Sequence, residues 1–372
     1  MKLIRIVASS AVLLVALCIL AVFLFALFMD PNRLKPMIAE TLQQETGYDV
    51  VVDGPCSWSF YPYPGITVAH IAFSAPANTT PFVDLHKVTF VTQLTALLHG
   101  RLGYSHFYVN DGRLFDISVE HAYIGMHWQN KQLLLKPITA KLYGGTLQGS
   151  VYGNLSALPH WAVLMHASHV ALQPLLQDVN GRDSKVSVLG QGDISIQVTS
   201  QGKSREQILN GLEGKASFQV VEGALLGIDL NALVSDAAAI IAQHPAELTV
   251  PSSQTVFDHF TGTFQIHHGV ATTNDATLLA PTFTVHSNGE VSLIADTIAL
   301  QLRVILKQDT HSRLAIPVTI AGSLANPVIR LDATLLNVEL AKQKLGSVID
   351  RVRDQVQHAP DNLSHVLQSL GK

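Results

Sequence analysis

Apolar and polar positions alternate along most of this chain. Over residues 298–306 the even positions are Ile298, Leu300, Leu302, Val304 and Leu306, with Gln301 and Arg303 among the residues between them. A period of two predicts a β-strand with one oily face and one wet face. The rhythm recurs. Ile194, Ile196 and Val198 form one face of a run, Ala216, Phe218 and Val220 one face of another, and Val50 and Val52 alternate with polar neighbours near the start. Runs such as KVTFVTQL, DISVEHAYI, GTFQIHHG, FTVHSNGEVSL and PVTIAGSL continue to about residue 332, separated by Gly, Asn and Asp turns. Short helical inserts interrupt them at TALLHG, LQPLLQDV and SREQILNGL, and NALVSDAAAIIAQH reads as a longer helix over 231–244.

The two ends break the alternation. From Ile6 to Met29 no residue is charged, and Ile6, Leu13, Leu20, Phe25 and Phe28 mark a run long enough to span a bilayer core of about 30 Å. A cleaved signal peptide has an apolar region of only about 7–15 residues. No small-x-small site follows this run, so it predicts an uncleaved single-pass anchor within residues 1–30. Lys2 and Arg5 favour a cytoplasmic N-terminus, although Arg33 and Lys35 lie close to the other end. Residues 31–48 predict a linker helix with Leu34, Ile38 and Leu42 on one stripe and Gly47 as its stop. Residues 333–372 predict an amphipathic helical segment. Val338, Ala341, Leu345, Val348, Val352 and Val356 keep helical spacing up to Pro360, and Leu363, Val366, Leu367 and Leu370 follow. Such a segment can dock on its own sheet, plug a groove, lie on a membrane surface or meet a partner.

Composition narrows the function. Of the 372 residues 48% are apolar and 14% charged, against about 25% charged in typical soluble domains. The mean hydropathy is +0.27. More apolar surface than usual therefore needs covering. A net charge of −4 without a basic patch gives no footprint for nucleic acid. Cys18 lies in the apolar run, so it and Cys56 make an implausible disulfide, and there is no C-x-x-C. No nucleophile elbow, phosphate loop or H-E-x-x-H occurs, so the expectation is no enzyme, no catalytic residue, no metal and no cofactor. Among 17 histidines, adjacent His267 and His268 are expected on opposite strand faces, as are His166 and His169 at a spacing of three. Trp58, Tyr61 and Tyr63 stand among prolines and predict a packed corner or a headgroup-level cluster.

Several stretches carry a family resemblance. The apolar run is followed by DPNRLKPMIAETLQQETGYDVVVDGPCSWSFYPYPGITV. Leu142, Tyr143, Gly144 and Gly145 lie in AKLYGGTLQGSVYG. LQPLLQDV leads into GDISIQVTSQGKSREQILNGLEGKASFQVVEGALLGIDL, and FDHFTGTFQIHHGVATTNDATLLAPTFTVHSNGEVSL and IPVTIAGSLANPVIRLD come next. In this order the chain resembles the AsmA family of bacterial inner-membrane-anchored periplasmic proteins, up to about residue 332.

The resemblance implies a mainly β fold with some α, similar to chorein-type bridge-like lipid transfer proteins. It would comprise an anchor (1–30), a linker helix (31–48), an elongated, open, taco-like antiparallel β-sheet groove with short helices (49–332) and a C-terminal helical segment (333–372). It implies a single-pass protein of the Gram-negative inner membrane, N-terminus cytoplasmic and bulk periplasmic. The implied role is outer-membrane biogenesis, by binding or transferring glycerophospholipid along an apolar groove. The alternative is a scaffold or chaperone-like factor in outer-membrane protein assembly. The implied partners are phospholipid or lipopolysaccharide and envelope assembly proteins. Under this reading the groove lining is Ile194, Ile196, Val198, Phe218, Phe264, Ile298, Leu300, Leu302, Val304 and Leu306. The chain is shorter than the large members of the family, which puts a groove spanning the whole periplasm in doubt.

Overall fold

A computed structural model of the chain describes residues 30–46, 48–59, 65–75, 80–92, 104–154, 156–181, 186–232, 234, 254–307, 315–332, 334–339 and 341. The described residues hold sixteen strands, and within each compact unit they pair antiparallel in chain order. Two compact units divide the chain, Met1–Ala157 and Leu158–Lys372.

The first unit opens with a 3₁₀ turn, Pro31–Leu34, and helix α1, Lys35–Thr46. Asp30 caps the turn by accepting from the Asn32 backbone N–H at 2.9 Å, and Pro31 sits at the first helical position, where a missing N–H costs nothing. Asn32 Oδ1 accepts the Cys56 backbone N–H at 2.9 Å and ties this turn to the sheet. The strands follow as β1 (Asp49–Ser59), β2 (Gly65–Ser74), β3 (Pro81–Thr92), β4 (Tyr104–Leu114), β5 (Ile117–Gln129), β6 (Gln132–Leu142) and β7 (Gly145–Asn154).

Two-residue turns fix the register of β4–β7. Phe115–Asp116, Asn130–Lys131 and Tyr143–Gly144 all have positive φ, the conformation of the tight turns whose twist matches the strands. Cys56, Val68, Ile71, Val88 and Val109 form the buried core of this unit. Val68 and Ile71 are three residues apart, as are Leu85 and Val88, yet each pair faces the same core. The alternation resets between them, next to Gly54, Lys87 and His121, whose φ values are 70°, 49° and 49°. Such local irregularities re-aim side chains within a strand.

The second unit holds β8 (His160–Ala171), helix α2 (Leu172–Asn180), β9 (Ser187–Gln201), helix α3 (Arg205–Asn210), β10 (Glu213–Leu226), β11 (Gln254–His267), β12 (Val270–Leu279), β13 (Phe283–Ser292), β14 (Thr297–Leu306), β15 (Ala315–Ser323) and β16 (Pro327–Leu331). Helix α3 carries a full capping box. Ser204 Oγ accepts the Gln207 N–H, and the Gln207 side chain accepts the Ser204 N–H. The core gathers Val220, Phe257, Leu278, Phe283, Val285, Leu302, Val304, Ile316 and Val318 from the sheet, with Leu172, Ile228, Leu230 and Leu336 from non-strand segments.

The fold is therefore mainly β, antiparallel and open, with few helices. Among the described residues no helix is long and apolar enough to cross a membrane. The expected anchor over 6–29, with Ile6, Leu13, Leu20, Phe25 and Phe28, lies outside the described residues. So do the expected helix at 95–100, that of 231–244 beyond residue 234, and the C-terminal segment beyond 341. Of the aromatic corner, Trp58 pairs with Ile66 across β1 and β2, while Tyr61 and Tyr63 lie outside.

Candidate functional site

The ten residues expected to line a groove fall on one face of the second unit's sheet. Residues directly opposite in an antiparallel ladder share a face. In β9–β11 the rows are Ile194–Phe218–Gly262, Ile196–Ala216–Phe264 and Val198–Gly214–Ile266. In β13–β15 they are Val285–Val304–Ile316, Ser287–Leu302–Val318, Gly289–Leu300–Ile320 and Val291–Ile298–Gly322, while Phe283 stands opposite Leu306. Phe260 opposite Leu278, and Leu278 opposite Val285, join the two sets.

Burial is uneven across this face. Val304 is 0% exposed and Leu302 8%. Leu172, Leu230 and Leu336 come down on this end of the strands. Polar contacts hold the backbone at Leu230 and ahead of Leu336. Thr255 Oγ1 accepts the Leu230 N–H at 2.9 Å and donates to the Ile228 carbonyl at 2.7 Å. Asp332 Oδ1 accepts the Thr334 and Leu335 N–H groups, starting the helical residues 334–339. Towards the other end Ile298, Leu300, Val198, Phe218 and Phe264 are half-buried, and Ile196 is 37% exposed. Val198 lines a cavity of about 230 Å³ with Trp161, Val163, Ile208 and Leu212 at α3. A recess of about 460 Å³ reaches Leu300 and Ile320 from the reverse face, where Thr272, Asn288, Glu290, Gln301 and Thr319 line it.

The reverse face is polar. His166, Asp193, Ser195, Ser217, Thr263 and Asp275 are among the residues lining a recess of about 330 Å³. The Thr263 backbone N–H donates to Asp275 at 2.9 Å, and this bond first of all holds the Asp275 carboxyl below its ordinary value. His166 Nδ1 meets Ser195 Oγ at 2.7 Å.

Two expectations about histidine need correction. His267 and His268 do not part to opposite faces. Both meet Glu213, His267 Nδ1 at 2.8 Å from Oε2 and the His268 backbone N–H at 2.9 Å from Oε1. His268 begins the β11–β12 turn with φ 49°, so strand alternation no longer governs it. The His268 N–H and then the His267 ring hold the Glu213 carboxyl below its ordinary value. His166 and His169 likewise are both exposed, while Ala167 and Val170 are both buried. A register shift between Ala167 and Val170, with φ 56° at His169, removes the parity.

One constellation escaped the sequence entirely. His70 Nε2 lies 2.8 Å from Asp84 Oδ1, and His86 Nε2 lies 3.8 Å from the same atom. The three residues sit on β2 and β3 at spacings of 14 and 2, which match no metal-ligand motif. Only the β2–β3 register, His70 opposite His86, brings them together. Cys56 is buried, and burial raises its thiol above the ordinary range, away from nucleophilic use.

No curated protein and no solved structure gave a match to this chain. A family model did, described as the AsmA family, over residues 1–114 and 116–276. It ends within β12, while the resemblance extends to about residue 332, so β13–β16 lie beyond the matched span. It still matches well over half of the sequence, and the chain belongs to the AsmA family.

Proposed function

We propose that the chain is an inner-membrane-anchored periplasmic protein of outer-membrane biogenesis that binds glycerophospholipid, or passes it on, along the apolar face of β9–β16. Membership of the AsmA family is consistent with a role in envelope biogenesis. The observation that carries the lipid reading is the uneven cover of that face. The chain's own leucines close one end, and Ile196, Val198, Ile298 and Leu300 stay partly open at the other. Each acyl CH₂ sheltered there gains about 0.8 kcal/mol, so a handful of methylenes supplies useful affinity without any covalent chemistry. The polar reverse face suits solvent or headgroups.

The test is site-specific photo-crosslinking in the intact envelope, using the full chain. A benzophenone side chain at Leu300 or Ile196 is expected to yield phospholipid adducts by mass spectrometry, and one at Gln301, on the reverse face, is not. Leu300→Asp is expected to lower lipid recovery about tenfold or more, since burying one leucine side chain is worth about 1.5–3 kcal/mol. Leu302 is the wrong position for that test. At 8% exposure within the core, an aspartate there would leave a buried charge and unfold the unit. Equal lipid yield at Leu300 and Gln301 would sink the lipid reading. Adducts with nascent outer-membrane proteins at Leu300, without lipid, would put the scaffold reading in its place.

A further inference from the structure

The solvent face of the first unit carries a row of ionisable groups. Asp53 stands opposite His70, His70 opposite His86, His86 opposite Asp111, and Asp111 opposite Glu120. Asp84 precedes His86 by two residues and reaches both rings. Arg113, opposite Asp84, and Lys141, opposite Glu120, are the cations of these rows. The row lies at the place where strand alternation resets, beside Gly54, Lys87 and His121 with positive φ. A positive φ at Lys87 and His121 is strain that a side-chain-bearing residue adopts only when the surroundings impose it.

Three ligand-bearing side chains are brought together here. One ligand atom from each of His70, Asp84 and His86 lies within 4.8 Å of the others. The two rings are stacked, with centroids 5.1 Å apart and planes at 24°, so one ring must turn for both in-plane Nε2 lone pairs to meet at one ion. In tetrahedral zinc, with bonds of about 2.0–2.1 Å, neighbouring ligand atoms are about 3.4 Å apart. The observed separations of 2.8 and 3.8 Å about Asp84 Oδ1 straddle that value. Asp111 supplies an independent sign. Its Oδ2 lies 3.4 Å from His86 Nδ1, the nitrogen on the far side of the ring from Asp84. An Nδ1 proton turned towards this carboxylate would leave the Nε2 lone pair free on the Asp84 side. This is the arrangement in which a carboxylate orients a metal-binding histidine. Two imidazoles and one carboxylate suit zinc and its late transition-metal neighbours, while magnesium and calcium prefer all-oxygen sets. His86 and Asp111 are half-exposed, so an ion can enter and water can take a fourth position.

We propose that His70, Asp84 and His86 bind a divalent transition-metal ion, with Asp111 as the positioning residue for His86. The proposal is independent of lipid binding on the second unit. It is tested by calorimetric titration of the untagged full chain, in detergent micelles and metal-free buffer, with zinc chloride alone. One saturable site is expected, undisturbed by millimolar magnesium or calcium. His70→Ala and His86→Ala are each expected to abolish it, and Asp111→Asn to weaken it by about 10–100-fold. His70→Gln keeps a donor for Asp84 but no imidazole. Loss of binding in this variant at an unchanged unfolding midpoint assigns the loss to the ligand and not to folding. No saturable zinc binding, or equal binding in the His70→Ala/His86→Ala double variant, overturns the site. Unchanged affinity in Asp111→Asn overturns the role given to Asp111.

Discussion

Glu213 shows how one side chain sets a junction. It stands at the start of β10 and receives both His267 and His268 at the end of β11. Its carboxyl is held below the ordinary value, so its folded-state pKa is lower than its unfolded one. The stability it lends is present above the unfolded carboxylate value, about 4.3, and is lost as pH falls through the depressed folded value. Denaturant midpoints of the wild type and Glu213→Gln are therefore expected to differ at neutral pH and to converge below about pH 4. A gap that stays constant with pH would remove Glu213 from this role. The pair of histidines was visible in the sequence, but its geometry was not. Alternation predicts opposite faces for neighbours in a strand, and the turn that begins at His268 cancels the rule. The same limit hid His70, Asp84 and His86, whose meeting depends on register, which no local pattern encodes.

At the scale of elements, alternation found the strands well because each buries one face and wets the other. It also put the ten residues expected to line a groove on a common face, since parity survives from row to row over 192–199 of β9 with 213–220 of β10, and along β13–β15. It failed where strands reset, at His169 and beside Lys87, because one positive φ reverses the sides of every residue after it. Register is held by the positive-φ turns and by close approaches at glycine. Gly289 has φ 145°, and a Cβ there would run into the Ala299 carbonyl oxygen of β14. Gly289→Ala is expected to cost more than about 1 kcal/mol. The loss should appear as faster amide hydrogen exchange in β13 and β14 before other strands. Unaltered exchange there would show that the β13–β14 pairing tolerates the change.

At the scale of the molecule, each unit rests on its own core. Phe283 is 1% exposed and belongs to the cluster that draws on β10–β15 together with Leu172, Leu230 and Leu336. Phe283→Ala is expected to destabilise by about 3–5 kcal/mol. Because every member of that cluster lies in Leu158–Lys372, the loss of hydrogen-exchange protection should fall on that unit and spare β1–β7. Protection lost equally in both would mean that they unfold as one. The division into two units left no mark in the sequence, because the same strand rhythm runs through both and only long-range packing separates them.

Within each unit every strand hydrogen-bonds to the one delivered just before it and the one delivered just after. No strand waits for a distant partner to be made, so little loop entropy is spent before pairing is rewarded. A chain built this way can fold in the order in which it is made. Each arriving hairpin finds its template already in place, and the edge that grows is always the newest strand.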